Sequence, residues 1–230
     1  MTELRGKHIL VTGASGGLGS LVVRELLAQG AVVSLAGRSE QALNAVAPDS
    51  PRYTVDLAVP GASKALLDAV AAGTPLDGVI ALHGAVAFGT VAELPAAVSR
   101  TLTAVNLDSV IELIGAAVPL LEDSSAAGRE PFIMTVSGVI ADMPTTGMAA
   151  YGASKAGLKA FGQAASRELR RAGIRLLDAR PGHTNTQLSA HPIAGTTPAM
   201  PAGLDPLAVA QRLVAAIVNN EKDVPADAFS

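Results

Sequence analysis

The chain has 230 residues, is 49% hydrophobic, carries a formal net charge of −3 and lacks cysteine, which excludes a disulfide framework, a thiolate metal site and a cysteine nucleophile. With two tyrosines, four phenylalanines, no tryptophan and an acidic balance, it offers neither a base-stacking platform nor a basic footprint for nucleic acid. The longest apolar stretch, Gly78 to Ala92, contains His83 and falls short of the roughly 18 residues of a membrane span.

Met1 to Lys7 lacks the apolar region of a secretory leader. The expectation is therefore a cytoplasmic protein without membrane contact, with residues 1–230 forming one domain.

The elements alternate along the chain. His8 to Val11 is a continuous apolar run, as in a strand buried on both faces. Leu18 to Gln29 carries a helical apolar stripe, and Gly30 is a stop. Ala31 to Ala36 reads as a second strand, Ser39 to Val46 as a short helix and Tyr53 to Val55 as a third strand. Ser63 to Ala72 is helical and Leu76 to Leu82 is a fourth strand. Two helices are expected, from Leu94 to Val105 and from Asp108 to Leu121, with Pro119 near the end of the second. Phe132 to Val136 is a fifth strand, Ala149 to Ala172 a long helix closed by Gly173, and Ile174 to Asp178 a sixth strand. Pro206 to Val218 is a final helix, with room for a short edge strand after it. Strands alternating with helices imply an α/β fold: a doubly wound, mainly parallel sheet of about seven strands with helices on both faces. Residues 184–205, rich in proline, follow the sixth strand on the carboxyl side, where such sheets bind ligands. They are either a substrate-binding loop or a plain connector.

The first strand runs into Thr12-Gly13-Ala14-Ser15-Gly16-Gly17-Leu18-Gly19. Glycines there permit a tight turn and close approach to a pyrophosphate, with the N–H groups of the following helix holding the anion. Gly13, Ser15, Gly16, Gly17, Leu18 and Gly19 are thus nucleotide-binding candidates. The glycine spacing fits two templates at once, and the competing possibility is a tight turn without ligand. The second strand ends Ala36-Gly37-Arg38 with no acid for a ribose hydroxyl. A guanidinium beside a glycine suits a 2′-phosphate, which favours NADP(H) over NAD(H); otherwise Arg38 is a solvated loop charge. Asp56, next to Leu57 after the third strand, is either an acceptor for an adenine amino group or the cap of the following helix.

Tyr151 and Lys155 stand four residues apart on the long helix, hence on one face. A phenol is a poor acid–base at neutral pH, and an adjacent ammonium stabilises its phenolate.

These residues in this order resemble the short-chain dehydrogenase/reductase family: Thr12-Gly-x-x-x-Gly-x-Gly, Asn106 in Val105-Asn106-Leu107, a serine after the fifth strand, Tyr151-x-x-x-Lys155 and Pro181-Gly182. The resemblance covers essentially the whole chain and implies a three-layer Rossmann fold of the short, single-domain type. It also implies an enzyme interconverting a carbonyl and an alcohol by hydride transfer. Tyr151 would be the acid/base, Ser137 would hold the substrate oxygen, Lys155 would bind the nicotinamide ribose, and Asn106 would hold a relay water. His83 and Gly84 at the end of the fourth strand, with Pro181, Gly182, Thr184 and Thr186 after the sixth, complete the implied cofactor site. No metal is implied. The partners implied are a small carbonyl or alcohol and further copies of the chain, as a tetramer or dimer. The apolar helix residues Val110, Ile111, Leu113, Ile114, Val118, Ala153, Gly157, Ala160, Phe161 and Ala164 suggest the interface. Two alternatives belong beside this: a non-catalytic NADP-binding sensor or scaffold, and an NAD-dependent alcohol dehydrogenase.

The sequence departs from the family pattern in four places. Ser137 stands 14 residues before Tyr151, one more than expected; Gly138 occupies the place of the second serine of a common pair, and Thr135 is a rival to Ser137. His83 replaces an asparagine and either braces the sheet or takes part in catalysis. Arg180, in Leu177-Asp178-Ala179-Arg180, either pairs with an acid such as Asp178 or reaches a phosphate or anionic substrate. His183 and His191 border the loop as packing residues or substrate ligands.

Overall fold

The structure, a computed structural model, describes residues 1–229. Seven strands form one parallel sheet in the order β3-β2-β1-β4-β5-β6-β7: β1 His8–Thr12, β2 Val32–Gly37, β3 Arg52–Thr54, β4 Gly78–Ala81, β5 Phe132–Val136, β6 Arg175–Ala179 and β7 Asp223–Val224. Strand order reverses between β1 and β4, which opens a crevice at their carboxyl ends.

The pleat sorts side chains to the two faces. Ile9, Val11, Phe132, Met134, Leu177 and Ala179 face one core with α1 (Gly17–Ala28). That core also takes Val209, Leu213 and Ile217 from a C-terminal helix, Pro206–Val218. Leu10, Val79, Ile133 and Leu176 face the other core. There they meet α3 (Ala62–Ala71), α5 (Ser109–Ala126) and α6 (Ala149–Leu169), while α2 (Glu40–Val46) lies beside β2 and β3. The remaining helices are α4 (Ala96–Thr103), α7 (Gln187–Ala190) and that C-terminal one, α8.

The expected pair of helices is one. A π-helical turn, Ala104–Asp108, joins α4 to α5, so helix runs without a break from Ala96 to Ala126. This stretch, at mean hydropathy 1.6, is long and apolar enough to cross a membrane by length and composition. In the fold, Leu102, Leu113, Ile114, Ala117 and Leu121 are buried. Pro119 does not end it, because Pro119 and the residue one turn back, Gly115, both lie on the exposed side, where solvent absorbs the lost hydrogen bond. Three of the apolar residues assigned to an interface, Val110, Leu113 and Ile114, belong to the core instead; Ile111, Ala153, Ala160 and Ala164 remain exposed.

Candidate active site

The glycine turn is built for close approach. Gly13 has φ +66, and a Cβ there would stand 2.6 Å from the backbone nitrogen of His83. A Cβ on Gly19 would run into the carbonyl oxygen of Gly13. Ser39 and Asp205 cap α2 and α8 with their side chains, whereas α1 begins at Gly16 with no side-chain cap and no acid in its first turn. Gly16 and Gly17 are exposed there, so free N–H groups and the positive end of the helix dipole face the crevice. The donor set fits a pyrophosphate. Ser15 Oγ lies 3.3 Å from where a Cβ on Gly37 would stand. Next to it Arg38 is exposed and, among the described residues, has no acid or hydrogen-bond partner. Asp56 does not cap α3, whose N-cap is Gly61. Its carboxylate accepts from the Ala58 N–H at 3.0 Å, while Leu57 is buried in the core.

His83 is a brace. Ser109 Oγ donates to Val105 O at 2.8 Å and therefore accepts from His83 Nε2–H at 2.8 Å. That leaves Nδ1 to accept from Thr12 Oγ1 at 2.7 Å. Burial, with the positive charge of Lys155, pushes the imidazole down to about 4, so it is neutral at physiological pH. Asn106 sits in the π turn, fully buried. Its amide clamps the segment after β4, accepting from Ala85 N at 2.8 Å and donating to Ala85 O at 2.9 Å and Ser154 Oγ at 3.0 Å. Gly84 passes beside it, with Asn106 Oδ1 3.2 Å and Lys155 Nζ 3.8 Å from a Cβ placed there.

Tyr151 and Lys155 lie in the first two turns of α6. Burial pushes the Tyr151 phenol up to about 12. Lys155 is 8% exposed; burial pushes its ammonium down to about 8, with Asp178 opposing. The ammonium donates to Val136 O at 2.9 Å, and the Tyr151 hydroxyl makes no hydrogen bond within the described residues. Ser137 is fully buried, and its hydroxyl donates its one proton to Asp178 Oδ2 at 2.5 Å. The rival Thr135 is also buried and donates to Asp178 Oδ1 at 2.7 Å. Arg180 takes the acid-paired alternative: its Nη1 and Nη2 donate to Asp223 at 2.6 and 2.8 Å, and its Nε approaches Asp142 at 2.7 Å.

Three loops meet over the crevice, stitched by main-chain bonds. Ile193 N donates to Val86 O at 2.9 Å, Phe88 N to Ala194 O at 3.0 Å, and Gly89 N to Gly147 O at 2.9 Å. At Gly195 a Cβ would strike the carbonyl of Phe88. Beside this seam is a cavity of about 510 Å³ lined by Phe88, Leu94, Pro95 and Ala194, among others. Thr184 pairs with Leu204 in an isolated bridge, and its hydroxyl donates to Gly182 O at 3.1 Å. Thr186 caps α7 and packs over the glycine turn, its Cβ 3.0 Å from a Cβ placed on Gly17. Pro181 O accepts from Val139 N, which ties this segment to the one after β5. His183 is half-buried in the same loop, and His191 Nδ1 bonds Gln187 O at 3.0 Å. No spacing in the sequence joins Asp142 and Asp223, two acids on separate elements, to this one arginine.

The short chain dehydrogenase profile matches residues 7–194. The chain belongs to the short-chain dehydrogenase family. Among curated short-chain dehydrogenase relatives, an uncharacterized oxidoreductase of Staphylococcus epidermidis is 28% identical over 197 residues, covering 82% of this chain and 83% of that protein. The (3R)-3-hydroxyacyl-CoA dehydrogenase of Canis lupus familiaris is 29% identical over 203 residues, covering 81% and 77%. Among solved structures, a short chain dehydrogenase from Burkholderia cenocepacia in complex with NADP shares the fold, with a TM-score of 0.84 at 22% identity over 98% of this chain and 90% of that one. A 3-oxoacyl (acyl-carrier-protein) reductase from Agrobacterium tumefaciens with NADP bound gives 0.75 at 26% identity over 81% and 74%. The sheet is the Rossmann arrangement of these short-chain dehydrogenases.

Proposed function

We propose that the chain is an NADP(H)-dependent oxidoreductase interconverting a small carbonyl compound and its alcohol, with Tyr151 as acid/base. The observation that carries this is the placement of Tyr151 and Lys155 on the first two turns of α6, with Lys155 tied to the carboxyl end of β5. NADPH bound along the crevice would supply the hydride for reduction, and NADP+ would accept it in the reverse direction. The residues to hold it are Gly13, Ser15, Gly16, Gly17, Leu18 and Gly19 at the pyrophosphate, and Arg38 at the 2′-phosphate. Asp56 and Leu57 flank the adenine side, Gly84 and Lys155 the ribose, and Pro181, Gly182, Thr184 and Thr186 the nicotinamide side. His83 serves this site from behind, as a neutral brace.

Tyr151 stays protonated at neutral pH because burial disfavours its phenolate. A protonated phenol suits reduction, where the group must give a proton to an alkoxide. The Lys155 ammonium then stabilises the phenolate left behind. Asn106 fixes the segment after β4 through Ala85. Self-association through the exposed residues of α5 and α6 accompanies this reading, and light scattering tests it.

The commitment of Ser137 to Asp178 favours a second reading, an NADP-binding sensor without turnover. The experiment that separates the two is NADPH and NADH consumption over a carbonyl panel, with Tyr151→Phe as control. Turnover lost in the phenylalanine variant supports the enzyme. Tight cofactor binding without turnover on any carbonyl or alcohol supports the sensor, and unchanged turnover in the variant refutes the role of Tyr151.

A further inference from the structure

Asp178 is a buried carboxylate at 6% exposure near the carboxyl end of β6. Strand register sets it beside Thr135 on β5 and Asp223 on β7. By the pleat, Thr135, Ser137 and Asp178 share the α6 side of the sheet. Four donors converge on the carboxylate: Thr135 Oγ1 at 2.7 Å, Ser137 N at 3.2 Å, Ser137 Oγ at 2.5 Å and Arg180 Nη1 at 3.4 Å. The Ser137 N–H belongs to the same peptide unit as Val136 C=O, and that carbonyl accepts from Lys155 Nζ at 2.9 Å. One peptide therefore stands between an ammonium on its oxygen and a carboxylate on its N–H, with its dipole aligned to both charges.

We propose that Asp178 is a positioning residue for Lys155: through the Val136–Ser137 peptide it fixes the ammonium at the end of β5 and acts as its buried counter-charge. A buried charge is stable only when paired and hydrogen-bonded. Arg180 pairs Asp178 and is held in turn by Asp223 and Asp142, with Lys159 closing the cluster on Asp142. The titratable groups facing Lys155 are Tyr151 on its own helix, His83 after β4, and Asp178 on β6, which carries Arg180 on its far side. Asn106 on the π turn is neutral. Tyr151 and His83 are uncharged at neutral pH, which leaves Asp178 as the acid acting on Lys155; burial raises its carboxyl, while the bonds from Ser137 and Thr135 and the charge of Arg180 work to keep it ionised. The catalytic consequence rests on the reading of Tyr151 and Lys155 given above; the electrostatic assignment does not.

The test is an NMR titration of the lysine side chains in isotopically labelled full-length protein, with Lys155→Arg for assignment. Asp178→Asn keeps the shape and an acceptor oxygen but removes the charge. The Lys155 midpoint is expected near 8 in the parent and lower by roughly one pH unit in the variant, the scale of one nearby charge. A midpoint that stays in place overturns the proposal. Should the variant fail to fold, the Asp178 carboxyl carbon is followed in the parent protein: ionised throughout the Lys155 transition supports the assignment, still protonated there overturns it. In the folded variant the alkaline limb of carbonyl reduction is expected to move down with Lys155. A midpoint that moves while the limb stays upholds the pairing and refutes instead the acid–base reading of Tyr151 and Lys155.

Discussion

Arg38 offers a clean perturbation of cofactor choice. It is exposed, and among the described residues it has no acid to be left unpaired when its side chain is cut back. Arg38→Ala therefore changes little in the free protein, and its effect reports on a bound 2′-phosphate. A hydrogen bond to a charged group contributes about 1.5–3 kcal/mol. Solvent and salt put an exposed guanidinium at the low end, near ~1.5 kcal/mol. That is about tenfold in NADPH affinity, with NADH affinity unchanged. The assay is titration of cofactor fluorescence on binding, for NADPH and NADH, at low and high ionic strength. The NADPH difference is expected to shrink as salt rises. Equal losses for both cofactors, or an unchanged NADPH-to-NADH ratio, would refute the assignment of Arg38 to the 2′-phosphate.

Other consequences follow from the packing and the charges. Gly19→Ala drives a methyl into the Gly13 carbonyl, so a lowered melting temperature together with lost NADPH binding is expected by calorimetry and titration. Asp77 is buried under Arg129, Ser124 Oγ and the His8 N–H. Burial alone would raise its carboxyl, but these bonds outweigh it and hold the group below its usual value. A depressed carboxyl stabilises the fold above its unfolded value and loses that contribution as pH falls through the folded one. Asp77→Ala should thus cost about 3 kcal/mol in urea unfolding at pH 7, with the gap to the parent narrowing in acid; a gap independent of pH would contradict the pairing. His83, held near 4, should show no imidazolium by NMR at pH 6. Its folded value lies below the unfolded one, so it contributes stability above about 6.5 that is lost as pH falls from there towards 4.

Much of this was legible in the sequence because it depends on local signals. The glycine turn, the stops at Gly30 and Gly173, and the apolar strands each follow from a few neighbouring residues. The i,i+4 pair of Tyr151 and Lys155 was legible for the same reason. The expected break between two helices around Asn106 is absent because a π turn carries the helix through without any marker residue, and Pro119 reads as an end because exposure of Gly115 is a tertiary fact. The Ser137 hydroxyl looked free for a substrate because its partner lies 41 residues away on the next strand. An aspartate inside an apolar strand was the available clue, since such a group must be satisfied from somewhere. That Arg180 would be shared among Asp178, Asp223 and Asp142 required the strand register, which no spacing in the chain reveals.

The seam over the crevice bears on which of its positions can vary. Residues 193–195 are fastened to Val86, Phe88 and their neighbours by amides and carbonyls, atoms that almost every amino acid carries. Side chains along that loop can be exchanged without loosening its attachment. Gly195 is the exception: pressed on the Phe88 carbonyl, it is the stitch that mutation cannot restyle.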